Sequence, residues 1–401
     1  MMRLSTNQMY NNSMNGVMQS YQRFSHVNNQ MSSGKRVLTP ADDPVAAAQT
    51  LNTRNRMAVV QQYNRNVDFA DKNLSLTESA LDQTEFALMR MKDMSIQLGS
   101  DQWSDNQVNA TGLEAKETLN HMQGLVNTRN ESGEYIFAGS QADQKAYDGN
   151  TFVGDRIERE AQVADDTFIR MLTSGDRAFE NLEGLKPAPV KVSDLAADDF
   201  SDVYASEQPL LVFRSQADEL AAAADPVAWL ADNVFSFPEG TSDADKEAWI
   251  TANAADIESK VPGLDIAANT YTAANPSQSG TDFRHEDNML GVMQYFVDAT
   301  GNGNPPEAVN KEAIRASIDN IDIAFEQVSK TRAQIGARQN TLDAVKSSNE
   351  EFELFAKKSI SDLEDLDYAE AYVRLETSML SYQAGMQITG RISGLSLFNY
   401  I

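Results

Sequence analysis

Apolar residues recur at heptad spacing along both ends of the chain and fall out of step in the middle. Near the start, Tyr10, Met14, Val17, Tyr21, Phe24 and Met31 are separated by 4, 3, 4, 3 and 7 positions, the spacing of a helical seam. The residues between them are mostly Asn, Gln and Ser, which are middling helix formers. Isolated helices nucleate poorly, so this segment is expected to gain order only when packed. Gly34, Pro40 and Pro44 then break the pattern, and Asp42 or Asp43 is placed to cap a new helix with Pro44 in its first turn.

The next segment is the most regular. Val60, Tyr63, Val67, Ala70, Leu74, Leu81, Leu88, Met91 and Leu98 hold one register, with Thr77, Thr84 and Ser95 in the gaps. From Pro44 to the breaker Gly99 this predicts a helix of roughly 50 residues, about 75–80 Å long, which other helices must cover. A third helix is predicted from about Asp105 to Asn130. Glu131-Ser132-Gly133 stops it, and Tyr135-Ile136-Phe137-Ala138 reads as a short buried piece. In the C-terminal part, Ile314, Ile318, Ile321, Phe325, Val328, Ile335 and Leu342 repeat the heptad steps. Phe352, Phe355, Ile360, Leu363 and Leu366 continue with a shifted phase. Leu366, Val373 and Leu380 lie seven apart, while Tyr372, Leu375, Met379, Met386 and Ile388 widen the apolar surface. A helix apolar on more than one face needs more than one neighbour.

Between these ends, residues 141–280 contain seven of the eleven prolines. Thr151–Val153, Ile157–Val163, Thr167–Leu172 and Leu210–Phe213 read as short strands, and 215–262 as Ala-rich helical stretches. The predicted fold is mainly α: a long antiparallel helical bundle or coiled coil built from both termini, with an inserted, mixed and partly β outer domain. The expected division is 1–44 with 355–401 as a terminal helical domain, 45–140 with 281–354 as a long-helix bundle, and 141–280 as the insertion.

Charge sharpens this division. Of the 401 residues, 59 are acidic and 33 basic, a net charge of −26. Residues 141–280 hold 26 acidic and 10 basic side chains, a net of −16, whereas residues 1–60 hold 2 and 6. This balance argues against nucleic acid as a partner, and it suits an insertion that faces solvent. There is no cysteine, which excludes disulfides and thiolate chemistry. No apolar run reaches the length of a membrane span, and Met1–Gly16 lacks the apolar core of a cleaved signal. The expectation is a cytoplasmic protein or one exported without a cleaved signal.

Candidate chemistry is sparse. His26, His121 and His285 form no ligand pair at helical spacing and read as ordinary surface or interface residues. Asp42-Asp43 reads as a helix cap, and Asp365 and Asp367 point to different helix faces. No phosphate-binding or dinucleotide glycine motif is present, and no EF-hand loop. No catalytic, cofactor or metal residue is expected. The functional candidates are the seams themselves. Val67, Leu74, Leu81, Leu88, Ile318, Phe325, Ile335 and Leu342 are expected in the bundle core. Tyr10, Met14, Val17, Tyr21, Phe24, Met31, Leu366, Val373, Leu380 and Met386 are expected at an assembly interface, because two terminal helices cannot cover all that apolar surface.

The run Gln30-Met31-Ser32-Ser33-Gly34-Lys35-Arg36 followed by Pro40-Ala41-Asp42-Asp43-Pro44 resembles the N-terminal signature of bacterial flagellins. Asp365-Leu366-Asp367-Tyr368-Ala369-Glu370-Ala371, leading to Leu375, resembles the C-terminal one. The opening Met2-Arg3-Leu4-Ser5-Thr6-Asn7 and the run Gly133–Ser140 resemble family members of the hook–filament junction. The resemblance covers about 1–140 and 281–401. It implies a non-enzymatic flagellar subunit, exported by the flagellar type III pathway with an export chaperone. Its implied partners are copies of itself in a ring or tube, hook-associated protein 1 and filament flagellin. It also implies terminal helices in an inner layer and the middle module facing outward. Two alternatives stay open: a filament subunit, against which the opening, the Tyr135–Ser140 run and the end Asn399-Tyr400-Ile401 weigh, and a secreted enzyme or binding protein with its activity in 141–280.

Overall fold

The computed structural model describes residues 6–186, 190–192, 210–261, 263–272, 285–303 and 308–394. Residues 2–5 of the opening motif, 395–401 at the end, and 193–209 and 273–280 of the insertion lie outside that set. The chain forms two compact units, 1–65 with 344–401 and 66–343. Its long helices are α1 (Thr6–Ser33), α2 (Pro44–Leu98) and α3 (Asp105–Leu125) on the N-terminal side. Three more follow the insertion: α9 (Met289–Ala299), α10 (Lys311–Glu364) and α11 (Tyr368–Gly394). The start of α2 is fixed as its sequence predicts. The Asp43 carboxylate accepts from the Ala46 amide at 3.0 Å and Pro44 opens the helix. The last helical stretch of the sequence is two helices. The chain breaks at Asp365–Asp367, where the Asp367 carboxylate accepts from the Ala369 amide at 2.8 Å and caps α11.

In the second unit, α2 and α10 run antiparallel, with Lys92 paired to Asp322, Arg332 to Glu85 and Asp82, and Gln339 bonded to Ser75. Every third or fourth residue of α2 from Val67 to Leu98 is buried: Val67, Ala70, Leu74, Thr77, Leu81, Thr84, Leu88, Met91, Ser95 and Leu98. Buried hydroxyls would weaken the seam unless satisfied. Thr77 and Thr84 donate to the carbonyls four residues back, at 2.8 Å each. Ser95 donates to the Ile314 carbonyl at 2.7 Å and lies 2.9 Å from the Ser317 hydroxyl.

On α10, Ile335 and Leu342 are buried, but Ile318 and Phe325 are only half-buried. The intervening seam positions are Ser317, Ala324 and Thr331, three residues after Ile314, Ile321 and Val328 rather than four. Size does not decide the register here; the helix repeat does, and it carries the larger neighbours to the flank.

Helix α9 is short and mostly buried, which makes it hard to single out in the sequence. Nine of its eleven residues are buried, and its polar face is narrow, limited to Gln294 and Asp298, four apart and bonded to each other at 2.7 Å. Asn288 caps it by accepting from the Gly291 amide at 2.8 Å. It packs on α3, and the chain leaving it approaches Gly112 so closely that a Cβ there would stand 2.2 Å from the Thr300 hydroxyl.

The insertion is mixed. Hairpins β1–β2 (Tyr147–Asp148, Thr151–Phe152) and β3–β4 (Glu160–Ala164, Thr167–Arg170) come first. A short helix α4 (Gly175–Phe179) follows. Helices α5 (Arg214–Ala222), α6 (Pro226–Asn233), α7 (Asp243–Ala252) and α8 (Ala254–Lys260) come next, with the two-residue pairs β5–β6 (190–191, 235–236) and β7–β8 (264–265, 270–271) among them. The expected strand at Leu210–Phe213 is instead buried extended chain with one bridge, Phe213 to His285. His285 is buried against Asp298 at 3.4 Å rather than on the surface. Leu220, Leu230, Trp249, Ile250 and Ile257 centre a separate core within the insertion.

Leu74 is fully buried in the seam, so Leu74→Ala should cost about 2–5 kcal/mol in urea unfolding. A second outcome concerns Glu180. Burial lifts its pKa from 4.5 to about 7, opposed by hydrogen bonds from Tyr147, at 2.8 Å, and Asn288. A folded-state pKa above the unfolded one means the fold holds the proton more tightly. The Glu180 contribution is therefore intact below about pH 4.5 and is lost as pH rises through about 7. In Glu180→Gln, which keeps an acceptor for Tyr147, unfolding midpoints at pH 5 and pH 8 should differ less than in the natural chain.

Candidate assembly interface

The first unit holds both of the signature runs, and they meet. Between α1 and α2, Gly34 to Arg36 lies antiparallel to Glu364 to Leu366. The Arg36 amide donates to the Glu364 carbonyl at 2.6 Å, and the Leu366 amide donates to the Gly34 carbonyl at 3.0 Å. A helix leaves its last carbonyls without partners. Here the end of α10 is capped by the opposite end of the chain: the Arg36 guanidinium donates to the Leu363 carbonyl at 2.8 Å. The same guanidinium reaches Asp43 at 3.1 Å. Glu364 closes the clasp, with Lys35 at 3.2 Å and Arg54 at 2.5 Å. The Gln30 amide donates to the Arg36 carbonyl at 2.5 Å.

The two aspartates of the N-terminal run divide their work. Asp42 accepts from the Leu38 and Thr39 amides at 3.0 and 2.8 Å, and those bonds, Thr39 first, hold its carboxyl below the usual range. Asp43 is also held low, first by the Ala46 amide and then by Arg36. Among the described residues no three His, Asp or Glu side chains gather as metal ligands.

Helices α1 and α11 pack along each other. Val17 and Val27 on α1 and Ala371 and Thr389 on α11 are buried in this contact. Gly385 permits it, since a Cβ there would stand 3.1 Å from the Val17 side chain. Val17 is thus spent inside the chain, a correction to its expected place at an assembly surface: it meets the small residue of α11. Phe24, Met31 and Leu366 are half-buried. The other candidates remain exposed: Tyr10 and Met14, near one third, Tyr21 and Met386 at 52%, Leu380 at 60% and Val373 at 63%. The structure adds Met18 on α1, Leu51 on α2, Leu354 and Phe355 on α10, and Tyr368, Tyr372 and Ile388 on α11. A single soluble unit rarely exposes so many large apolar side chains without a partner. The clasp itself had a sequence signal, basic Lys35-Arg36 facing an acidic run 330 residues later, but no periodicity could pair the two.

Comparison with known proteins follows the same two ends. Residues 4–142 match the bacterial flagellin N-terminal helical region, and residues 318–401 match the bacterial flagellin C-terminal helical region. The chain belongs to the bacterial flagellin family. Within it, the chain is 25% identical over 402 residues to flagellar hook-associated protein 3 of Escherichia coli, covering 99% of both chains. It is 32% identical over 150 residues to the protein of that name in Salmonella typhimurium, or 37% of this chain and 47% of the other. A crystal structure of flagellar hook-associated protein 3 from Legionella pneumophila superposes with a TM-score of 0.48 at 16% identity, covering 78% of this chain and 98% of that one. The two flagellin regions each carry one strand of the clasp, Gly34–Arg36 in the first and Glu364–Leu366 in the second.

Gly34 sits at φ +70°, and a Cβ on it would stand 3.1 Å from the Tyr368 hydroxyl. Gly34→Ala should therefore destabilise the first unit by at least roughly 1–2 kcal/mol from backbone strain alone. Gly16 lies in α1 with open space where a Cβ would stand, so Gly16→Ala should stabilise by about 0.5–1 kcal/mol. Paired thermal melts of the two variants would show opposite signs.

Proposed function

We propose that this flagellin-family chain is the structural subunit that joins hook to filament, with no enzymatic role. The observation that carries this reading is the end-to-end match to flagellar hook-associated protein 3 of Escherichia coli, 99% of both chains including the insertion. The chain is a component of the bacterial flagellum and assembles with other flagellar proteins. Its export follows the flagellar type III route with a chaperone, and it forms a ring on hook-associated protein 1 onto which filament flagellin adds.

The mechanism is burial of apolar helix faces between copies. The clasp holds α1 against α11, so one subunit presents both stripes together, and the exposed side chains of those stripes are covered only when a neighbour arrives. Burying one such side chain contributes about 1.5–3 kcal/mol, and repetition around a ring multiplies that. The insertion, with −16 of the −26 net charge, faces outward, where like charges are diluted and screened within about 8 Å at physiological salt.

The test is electron microscopy of a strain lacking this gene, complemented with natural chain or with Val373→Asp/Leu380→Asp. The natural chain should restore filaments on intact hooks. The double variant, altered at exposed positions, should melt like the natural chain and be secreted, yet leave hooks bare. Filaments of normal length without the gene, or full rescue by the variant, would contradict the proposal; shortened filaments would point to a filament subunit.

A further inference from the structure

The methionines of the chain are unevenly placed. Met91, Met94, Met122, Met289 and Met293 are buried in the second unit. Among the described residues four are exposed: Met14 and Met18 on α1, Met386 on α11 and Met89 on α2. Three of the four therefore belong to the first unit, on the two helices that pack along each other.

Those three share one side of the helix pair. Val17 meets Gly385, and the rings of Tyr21 and Tyr382 lie 5.6 Å apart. Position rises along α1 as it falls along α11, so the two helices run antiparallel. An α-helix turns about 100° per residue. Met14, Met18 and Tyr21 then fall on one flank of Val17, and Tyr382 and Met386 on one flank of Gly385. Because the helices run in opposite directions, these two flanks lie on the same side, as the contact between Tyr21 and Tyr382 requires. The thioethers and the two tyrosines form one patch beside the α1–α11 contact.

A methionine is flexible and polarisable and fills irregular gaps, which suits a surface awaiting a partner. It is also chemically vulnerable. With no cysteine in the chain, the exposed thioethers are its softest targets for a two-electron oxidant. With hydrogen peroxide, a sulfur lone pair forms an S–O bond to one peroxide oxygen as the O–O bond breaks. The proton of the transferred oxygen goes to the departing hydroxide, which leaves as water. The sulfur is oxidised by two electrons and the peroxide is reduced. The product sulfoxide is polar and chiral where the thioether was apolar. Buried between copies without a donor, it carries the cost of an unsatisfied polar group.

We infer that Met14, Met18 and Met386 form an oxidation site that governs assembly: peroxide converts them to sulfoxides in the free subunit, and the modified subunit no longer packs, a consequence that rests on the junction reading above. Once a neighbour covers the patch, the same residues are shielded. Met89, exposed but on the second unit, is a control built into the chain.

The test uses the purified full chain, treated with hydrogen peroxide, quenched with catalase, mapped by peptide mass spectrometry and added to cells that lack the gene but secrete the other flagellar proteins. Sulfoxide should appear at Met14, Met18, Met386 and Met89 and not at Met91 or Met94, with the melting temperature unchanged. Filaments counted by electron microscopy should then require about tenfold more oxidised than untreated chain, or more. Met14→Leu/Met18→Leu/Met386→Leu conserves volume and should keep its potency after peroxide, whereas Met89→Leu should be inhibited like the natural chain. Reduction of the oxidised natural chain by methionine sulfoxide reductases A and B, which take one epimer each, should restore filaments. That recovery decides the matter if leucine at the three sites itself blocks growth. Sulfoxide absent from the three sites, full potency after oxidation, equal inhibition of the triple variant, or no recovery on reduction would overturn the inference. Untreated natural chain that restores no filaments would instead overturn the junction reading, and this consequence with it.

Discussion

The antiparallel closure of Gly34–Arg36 on Glu364–Leu366 turns two distant ends into one helical unit. Without it, α10 would end in unpartnered carbonyls and α11 would leave in any direction. With it, Arg36 caps α10, Glu364 gathers Lys35 and Arg54, and α11 starts beside α1. Each ion pair at this surface contributes little alone. The backbone bonds and the left-handed turn at Gly34 give the closure its direction, and the charges select the register.

In the second unit the constraint is the seam between α2 and α10. Small polar residues at Thr77, Thr84, Ser95 and Ser317 let the helices approach, and each hydroxyl is satisfied locally or across the seam. The two units share a heptad sequence pattern and use it differently. In one the apolar stripe is closed within the chain. In the other, Val373, Leu380 and Tyr21 remain outside after Val17 has met Gly385.

The long helices were legible in the sequence because a buried stripe on a solvated helix imposes a period, and α2 begins and ends where capping and breaker residues place its ends. Other features carried no such record. Helix α9 is only eleven residues long, and Gln294 and Asp298 are the whole of its polar face, too little contrast for a period to stand out. Ile318 and Phe325 fit a heptad count but lie on the flank, because Ser317, Ala324 and Thr331 take the inner positions. The break at Asp365 lies within a run that reads as helix, and only the arrival of Arg36 from the other end makes it a closure. In the insertion, Leu210–Phe213 has the composition of a strand but lacks a ladder to join. Val17 looks like its neighbours in the stripe, and it took the glycine opposite, on another helix, to bury it.

The clasp can be tested in a chain that has no cysteine of its own. The bonds flanking Lys35 and Asp365 make them a non-hydrogen-bonded antiparallel pair, for which Cα atoms lie about 4.5 Å apart, within disulfide reach. Lys35→Cys/Asp365→Cys in the full chain, oxidised mildly at low concentration and analysed by non-reducing gel and mass spectrometry, should give an intramolecular disulfide in nearly every molecule. A chain that stays reduced, or that cross-links only between molecules, would contradict the closure and the joined assembly face built on it.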